Sequence, residues 1–113
     1  MPKLTFLEIP SRDVAQSAAF YAAVLGWKLD RRPSGDIRFS DDDAHLFGRW
    51  RTDREPGRDN VVANYTVADV EAALAPVGEL GGEIVSPRTL EGDTWNARVR
   101  DPSGNLFGIW QLA

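Results

Sequence analysis

The sequence contains no cysteine and only one histidine, and both shortages exclude kinds of site. Without cysteine there are no disulfides, no thiolate metal ligands and no cysteine nucleophile. Positive charge is also scarce: 13 lysines and arginines against 17 aspartates and glutamates give a net charge of −4, which argues against a nucleic-acid partner. No long apolar run opens the chain, so we expect no secretion signal, no membrane contact and a cytoplasmic protein.

What the sequence does contain is typical of one folded domain. It has 113 residues, of which 42% are hydrophobic and 27% are charged, with the two kinds well mixed. A chain of this size and composition can bury a modest core and is not expected to be disordered.

The first half of the chain predicts a strand, a helix and three further strands. The apolar segment 3–9 ends at Pro10, which is typical of a strand end. Ser11 is a plausible N-cap for a helix that runs to about Leu25, where Gly26 ends it. The remaining strands are predicted in the segments 27–30, 36–40 and 45–50.

The second half repeats this order. A strand at 61–67 precedes a helix predicted over 69–80, which Pro76 should kink or shorten. A turn at 101–104 separates the last two strands. The remaining strands are predicted in the segments 83–86, 94–100 and 105–112.

Three landmarks recur in the two halves in the same order. Asp13-Val14 corresponds to Asp69-Val70, and Gly26 to Gly82, each pair 56 positions apart. The string LFGxW at 46–50 recurs at 106–110, 60 positions later, so about four extra residues are expected, in a loop around 88–93. The repeat predicts two βαβββ modules in an α+β fold. Module one is assigned to 1–50, a charged linker to 51–60 and module two to 61–113.

The set of motifs resembles the vicinal oxygen chelate superfamily, which includes glyoxalase I, the bleomycin-resistance proteins and the extradiol dioxygenases. Phe20-Tyr21 followed by Leu25-Gly26-Trp27 is similar to the end of the family's first helix, and the DPSGN segment 101–105 is similar to its last turn. The resemblance covers Leu4 to Gln111. It implies curved mixed sheets around a cavity, and a homodimer whose modules pair within one chain or across two.

In metal-dependent members of that superfamily, four ligands, usually His and Glu, stand on the first and last strands of the modules. The motifs carry these positions onto Phe6, Gly48, Val62 and Gly108. None of these side chains can ligate a divalent cation, so no metal and no other cofactor is predicted. This argues against a metal-dependent glyoxalase or dioxygenase. The aspartates at 41–43 beside His45 are interpreted as a solvated turn rather than a metal site.

Strand alternation predicts which side chains line the cavity. If Phe6 faces it, Glu8 does too, and the repeat places Asn64 at the position equivalent to Glu8. The same alternation predicts that the glycine and the tryptophan of each LFGxW string face the cavity. Two symmetric tryptophans would suit a flat aromatic or apolar ligand. The predicted ligand-binding residues are therefore Phe6, Glu8, Gly48, Trp50, Asn64, Gly108 and Trp110.

Other assignments for the tryptophans stay open at this point. Trp50 and Trp110 are equally compatible with a place in the core or in a dimer contact, and Trp27 is assigned to the core. The facing of Trp95 and Arg98 is not determined by the sequence.

Two main functions follow from these patterns. The first is a metal-free small-molecule-binding protein that sequesters an aromatic drug or natural product, as in antibiotic resistance. The second is a metal-independent isomerase, epimerase or lyase with Glu8 as general acid or base. A metalloenzyme with ligands at other positions and a protein-interaction module without a ligand are further alternatives. No residue is assigned a catalytic role.

Overall fold

A computed structural model describes residues 3–41, 43–57 and 61–113, and its elements follow the order βαβββ twice. Module one consists of β1 (Phe6–Pro10), α1 (Val14–Leu25), β2 (Lys28–Arg31), β3 (Ile37–Ser40) and β4 (Phe47–Arg51). Module two consists of β5 (Ala63–Thr66), α2 (Val70–Leu74), β6 (Glu83–Glu91), β7 (Thr94–Arg100) and β8 (Leu106–Leu112).

Each module forms its own mixed sheet, and the two sheets have the same topology. Sheet one has the strand order β1-β4-β3-β2 and sheet two has the order β5-β8-β7-β6. The first and last strands of each module pair in parallel, and the other neighbours are antiparallel. The α+β fold of two βαβββ modules is thereby confirmed. The boundaries 1–50, 51–60 and 61–113 stay a prediction, and positions 1, 2, 42 and 58–60 lie outside the described residues.

Both helices begin at an aspartate N-cap. The Asp13 carboxylate accepts a hydrogen bond from the Gln16 backbone N–H at 3.1 Å, and Asp69 caps α2 in the same way. The prediction that Ser11 is the cap is wrong, because its hydroxyl is hydrogen-bonded to Ser17 at 2.7 Å. Helix α2 is also shorter than predicted and ends at Leu74, two residues before Pro76. Within the described residues no helix is long and apolar enough to cross a membrane.

The extra residues of module two lengthen a hairpin instead of forming a loop. Strand β6 runs to Glu91 and turns at Gly92, whose φ of 64° favours glycine, directly into β7. Two register shifts, at 84–86 and 86–89, accommodate its length. The prediction of a loop at 88–93 is therefore wrong for most of that segment.

A single hydrophobic core joins the two sheets and the two helices that pack on them. Tyr21 of α1 stacks on Trp27 with ring centroids 5.0 Å apart, and its ring lies 5.4 Å from Phe107 of sheet two. Its hydroxyl donates a hydrogen bond to Asp101 of the last turn at 2.8 Å. Trp27 is 7% exposed, which confirms its assignment to the core. Since each sheet turns one side toward this shared core, the opposite side of each sheet faces outward.

Candidate functional site

The outward side of sheet one, here called open face one, is arranged in two rows across the strands. One row consists of the paired residues Asp30, Arg38, Arg49 and Glu8, and the neighbouring row consists of Lys28, Ser40, Phe47 and Phe6. Residues paired across a sheet point to the same side, so each row presents its side chains together. Open face one therefore combines a charged row with a row that ends in two phenylalanines.

The two phenylalanines of open face one are unusually exposed for their size. Phe6 is 44% exposed and Phe47 is 46% exposed, whereas Phe39 between the sheets is 2% exposed. They line a groove of about 710 Å³ together with Lys28 and Arg38. A groove of this volume suits a small organic molecule.

Glu8 is held on this face by two guanidinium groups. The Arg49 side chain donates to it through Nε at 2.9 Å and forms an ion pair with it in which Nη2 lies 2.8 Å from Oε2, and Arg51 donates through Nη1 at 3.2 Å. The hydrogen bond from Arg49, reinforced by Arg51, holds the pKa of Glu8 below its usual value. A carboxylate with a lowered pKa is a weak general base near neutral pH, so the geometry does not favour the role of acid or base for Glu8.

The outward side of sheet two, here called open face two, carries Asn64, Gly108 and Trp110. Asn64 pairs with Gly108, and its side-chain oxygen occupies the space that a Cβ at Gly108 would need. Trp110 is half-buried, and Arg98 is exposed on this same face, opposite Gly108. Trp95 lies on the other side of the sheet, packed against the core, with the Arg88 guanidinium 4.1 Å from its ring.

Trp50 does not face outward, so its predicted place in the ligand site is wrong, whereas Gly48 lines the groove with its backbone while the side on which a Cβ would stand faces the core. Trp50 is 2% exposed, and its ring lies 4.8 Å from that of Phe39 in the core. A Cβ at Gly48 would overlap the Phe39 ring and the Leu7 carbonyl oxygen. Gly48 is thus required by core packing, and Trp50 is a core residue rather than a wall of the ligand groove.

The cause is a difference of one residue in a turn. In sheet one, Phe39 pairs with Gly48, nine positions on, whereas in sheet two Val99 pairs with Phe107, eight positions on. Gly48 is thus the structural equivalent of Phe107, and Arg49 that of Gly108. A shift of one residue reverses which face each side chain of a strand occupies.

Seven residues of open face one were missed by the sequence prediction: Lys28, Asp30, Arg38, Ser40, Phe47, Arg49 and Arg51. Side chains along a strand alternate between its two faces, so the apolar residues Ile37 and Phe39 of β3 predict that Arg38 between them faces outward. For β4 the alternation was assigned to the wrong face, because its LFGxW string was aligned with the second one, whose glycine and tryptophan lie on the outward face.

The four positions that the family resemblance predicts for metal ligands do not suit a metal in either register. With the pairing corrected, Arg49 replaces Gly48 in the predicted set with Phe6, Val62 and Gly108, and a guanidinium does not ligate a cation. Over 3–41, 43–57 and 61–113, no group of three or more His, Asp or Glu side chains is placed to share one ion. The Asp41 carboxylate accepts a hydrogen bond from the His45 backbone N–H at 2.9 Å, as in a turn, and Asp42 is outside the described residues.

A second cavity, of about 650 Å³, lies at the seam between the modules. Its walls include Leu7, Tyr21 and Tyr65, and burial raises the pKa of Tyr65 to about 12. The wall also includes Gly57 and Val61, which flank positions outside the described residues. The groove on open face one presents two exposed aromatic rings, Phe6 and Phe47, and is therefore the better candidate for the ligand site.

Comparison with known proteins places these features in a family. Residues 6–110 match the family described as glyoxalase-like domain. The fold is similar to that of TnmS3, an antibiotic binding protein from Streptomyces sp. CB03234, with a TM-score of 0.76 and 18% identity over 100% of this chain and 98% of that one. No curated protein gives a significant match to the sequence.

Two further solved structures have the same fold. TioX from Micromonospora sp. ML1 has a TM-score of 0.72 and 18% identity, over 99% of this chain and 100% of that one. A glyoxalase/bleomycin resistance protein/dioxygenase family enzyme from Burkholderia phytofirmans PsJN has a TM-score of 0.71 and 20% identity, with the same coverage.

Proposed function

This chain belongs to the glyoxalase-like domain family, within the vicinal oxygen chelate superfamily, and we propose that it is a metal-free protein that binds a small aromatic molecule on open face one. The observation that carries the proposal is the groove of about 710 Å³ that the exposed rings of Phe6 and Phe47 line at one end. Exposed aromatic rings beside a concave surface favour stacking with a flat ligand.

The biological role that we propose is sequestration of an aromatic drug or natural product in the cytoplasm. The similarity in fold to an antibiotic binding protein supports this role without identifying the ligand. Binding alone needs no catalytic group, which agrees with the ion-paired state of Glu8. An isomerase, epimerase or lyase that depends on Glu8 as a base is the less favoured alternative.

We propose further that the protein is a homodimer in which open face two of a second copy covers the groove. Both outward faces carry exposed apolar side chains: Phe6 and Phe47 on one, and Leu112, which is 68% exposed, beside Trp110 on the other. Apolar surface of this kind is stabilised when a partner covers it. Asn64 and Trp110 would then complete the ligand site from the second chain.

Titration calorimetry with a panel of aromatic antibiotics tests the binding proposal. We expect saturable binding that weakens at least tenfold in Phe6→Ala and Phe47→Ala, because each removes an aromatic wall of the groove. Leu90→Ala is the matched control, since Leu90 is 51% exposed on the β6–β7 hairpin, away from the groove. Saturable binding that is unchanged in both phenylalanine variants would contradict the location, and no binding across the panel would contradict the function.

Analytical ultracentrifugation tests the assembly. We expect a dimer whose dissociation constant rises in Leu112→Asp, because a buried carboxylate at the interface would be desolvated without a partner. A protein that stays monomeric at millimolar concentration would contradict the proposed homodimer.

A further inference from the structure

Open face one places two arginines directly opposite each other near the centre of the sheet. Arg38 pairs with Arg49 across β3 and β4, so like charges stand side by side. Like charges in directly opposed positions destabilise a sheet. Two carboxylates, Asp30 and Glu8, flank the pair in the same row, but Asp30 is ion-paired with Arg32, and Glu8 with Arg49 and Arg51. An anion bound beside Arg38 would therefore still relieve the repulsion, and the arrangement favours a negatively charged ligand.

Arg38 also has unused hydrogen-bonding capacity. Among the described residues it donates only through Nε, to Asp36 at 3.1 Å, and its two terminal nitrogens have no protein acceptor. Arg49, in contrast, donates through Nε to Glu8 and keeps Nη2 in an ion pair with the same carboxylate. A guanidinium with both terminal nitrogens free is suited to a two-point contact with a carboxylate.

Lys28 adds a second cation to the same part of the groove. Lys28 pairs with Ser40, two residues along β3 from Arg38, and both cations line the groove. Within the described part of the chain, Lys28 makes no ion pair. Diagonal neighbours on adjacent strands lie within reach of long side chains, so Lys28 and Arg38 are placed to share one anion.

We propose that the ligand is a planar aromatic carboxylate, with its ring system against Phe6 and Phe47 and its carboxylate held by Arg38 and Lys28. This inference rests on the proposed function and adds the charge of the ligand to it. The row Lys28, Ser40, Phe47 and Phe6 runs from a cation to two aromatic rings, so the groove is polar at one end and apolar at the other.

Two compounds of the same shape test the inference by calorimetry: 2-naphthoate, an anion, and 2-naphthamide, which is neutral. We expect 2-naphthoate to bind at least tenfold more tightly, and its affinity to fall with added salt. Arg38→Gln and Lys28→Gln should each weaken 2-naphthoate about tenfold and change 2-naphthamide less than twofold. Arg31→Gln is the control, since Arg31 pairs with Ile37 on the other side of the same sheet.

The possible outcomes separate this inference from the proposed function. If both compounds bind with equal affinity, or if Arg38→Gln behaves like Arg31→Gln, the charge preference is wrong while binding on open face one stands. If neither compound binds saturably up to millimolar concentration, the proposed function and this inference fail together. The midpoint temperature of thermal unfolding of ligand-free Arg38→Gln should be no lower than that of the wild type. A loss of affinity in this variant would then not be due to a loss of folded protein.

Discussion

Strands β4 and β8 carry the same string, LFGxW, yet they turn opposite sides of it toward the core. In β4 the tryptophan is 2% exposed and the preceding phenylalanine, Phe47, is 46% exposed. In β8 the phenylalanine, Phe107, is 2% exposed and Trp110 is half-buried on the outward face. The difference shows that a residue's role in a sheet is set by its register with the neighbouring strands, more than by the residues beside it in the chain.

The functional consequence is that the two outward faces are chemically unlike. The shifted register gives open face one Phe47, Arg49 and Arg51, whereas the equivalent positions of open face two hold Leu106, Gly108 and Trp110. One duplicated fold thus presents a cationic, aromatic surface and a more neutral surface. A homodimer that brings the two together would enclose a ligand between different walls.

The opposite facing of the two LFGxW strings has its largest expected effect on the free energy of unfolding. Trp50→Ala should lower the free energy of unfolding by about 3–5 kcal/mol, because it leaves a cavity in the shared core. Trp110→Ala should cost less than half as much, because Trp110 is only half-buried. Urea denaturation of the two variants measures both values, and equal losses would contradict the opposite facing of the two strings.

A smaller effect is expected at the two glycines of the strings. Gly48→Ala should cost about 1–3 kcal/mol, because the added methyl group meets the buried Phe39 ring and a backbone carbonyl. Gly108→Ala should cost less, since it meets mainly the Asn64 side chain, which is free to rotate away. Chemical denaturation compares them, and a larger loss at Gly108 would contradict the assigned packing.

Removal of the Glu8 charge sharpens the contrast between the faces. Glu8→Gln removes the carboxylate partner of Arg49, leaves Arg51 paired with Asp53, and makes open face one more positive. We expect 2-naphthoate to bind severalfold more tightly to this variant, and 2-naphthamide to bind as it does to the wild type. Weaker binding of 2-naphthoate would show that Glu8 itself contacts the ligand.

The smallest expected effect is a pH dependence that belongs to module one. Because Arg49 and Arg51 lower the pKa of Glu8, its ionised form favours the folded state, and this contribution is lost as pH falls below 4.5 toward the lowered pKa. Any stability advantage of the wild type over Glu8→Gln at pH 7 should therefore shrink as the pH falls from 7 to below 4.5. Thermal melts of both proteins across that range check the sign, and an advantage that grows on acidification would contradict it.

The sequence was sufficient for the fold because its landmarks are local. Asp13 and Asp69 recur in the repeat at the starts of the two helices, although the first cap was predicted two residues early, at Ser11, and both modules have the same strand order. It was not sufficient for the site, because register depends on pairing between distant strands. The DPSGN turn between β7 and β8 is one residue shorter than the turn between β3 and β4, so the LFGxW strings of the two modules differ in register by one residue. No local pattern around Trp50 reports that shift.

The most direct test of the account is to map where a ligand binds. Backbone amide NMR spectra of the wild type, recorded during a titration with 2-naphthoate, report every residue near the bound molecule. We expect the largest shift changes at Phe6, Arg38 and Phe47 on open face one. Changes confined to the seam cavity around Val62 and Tyr65, with those three amides unmoved, would contradict it.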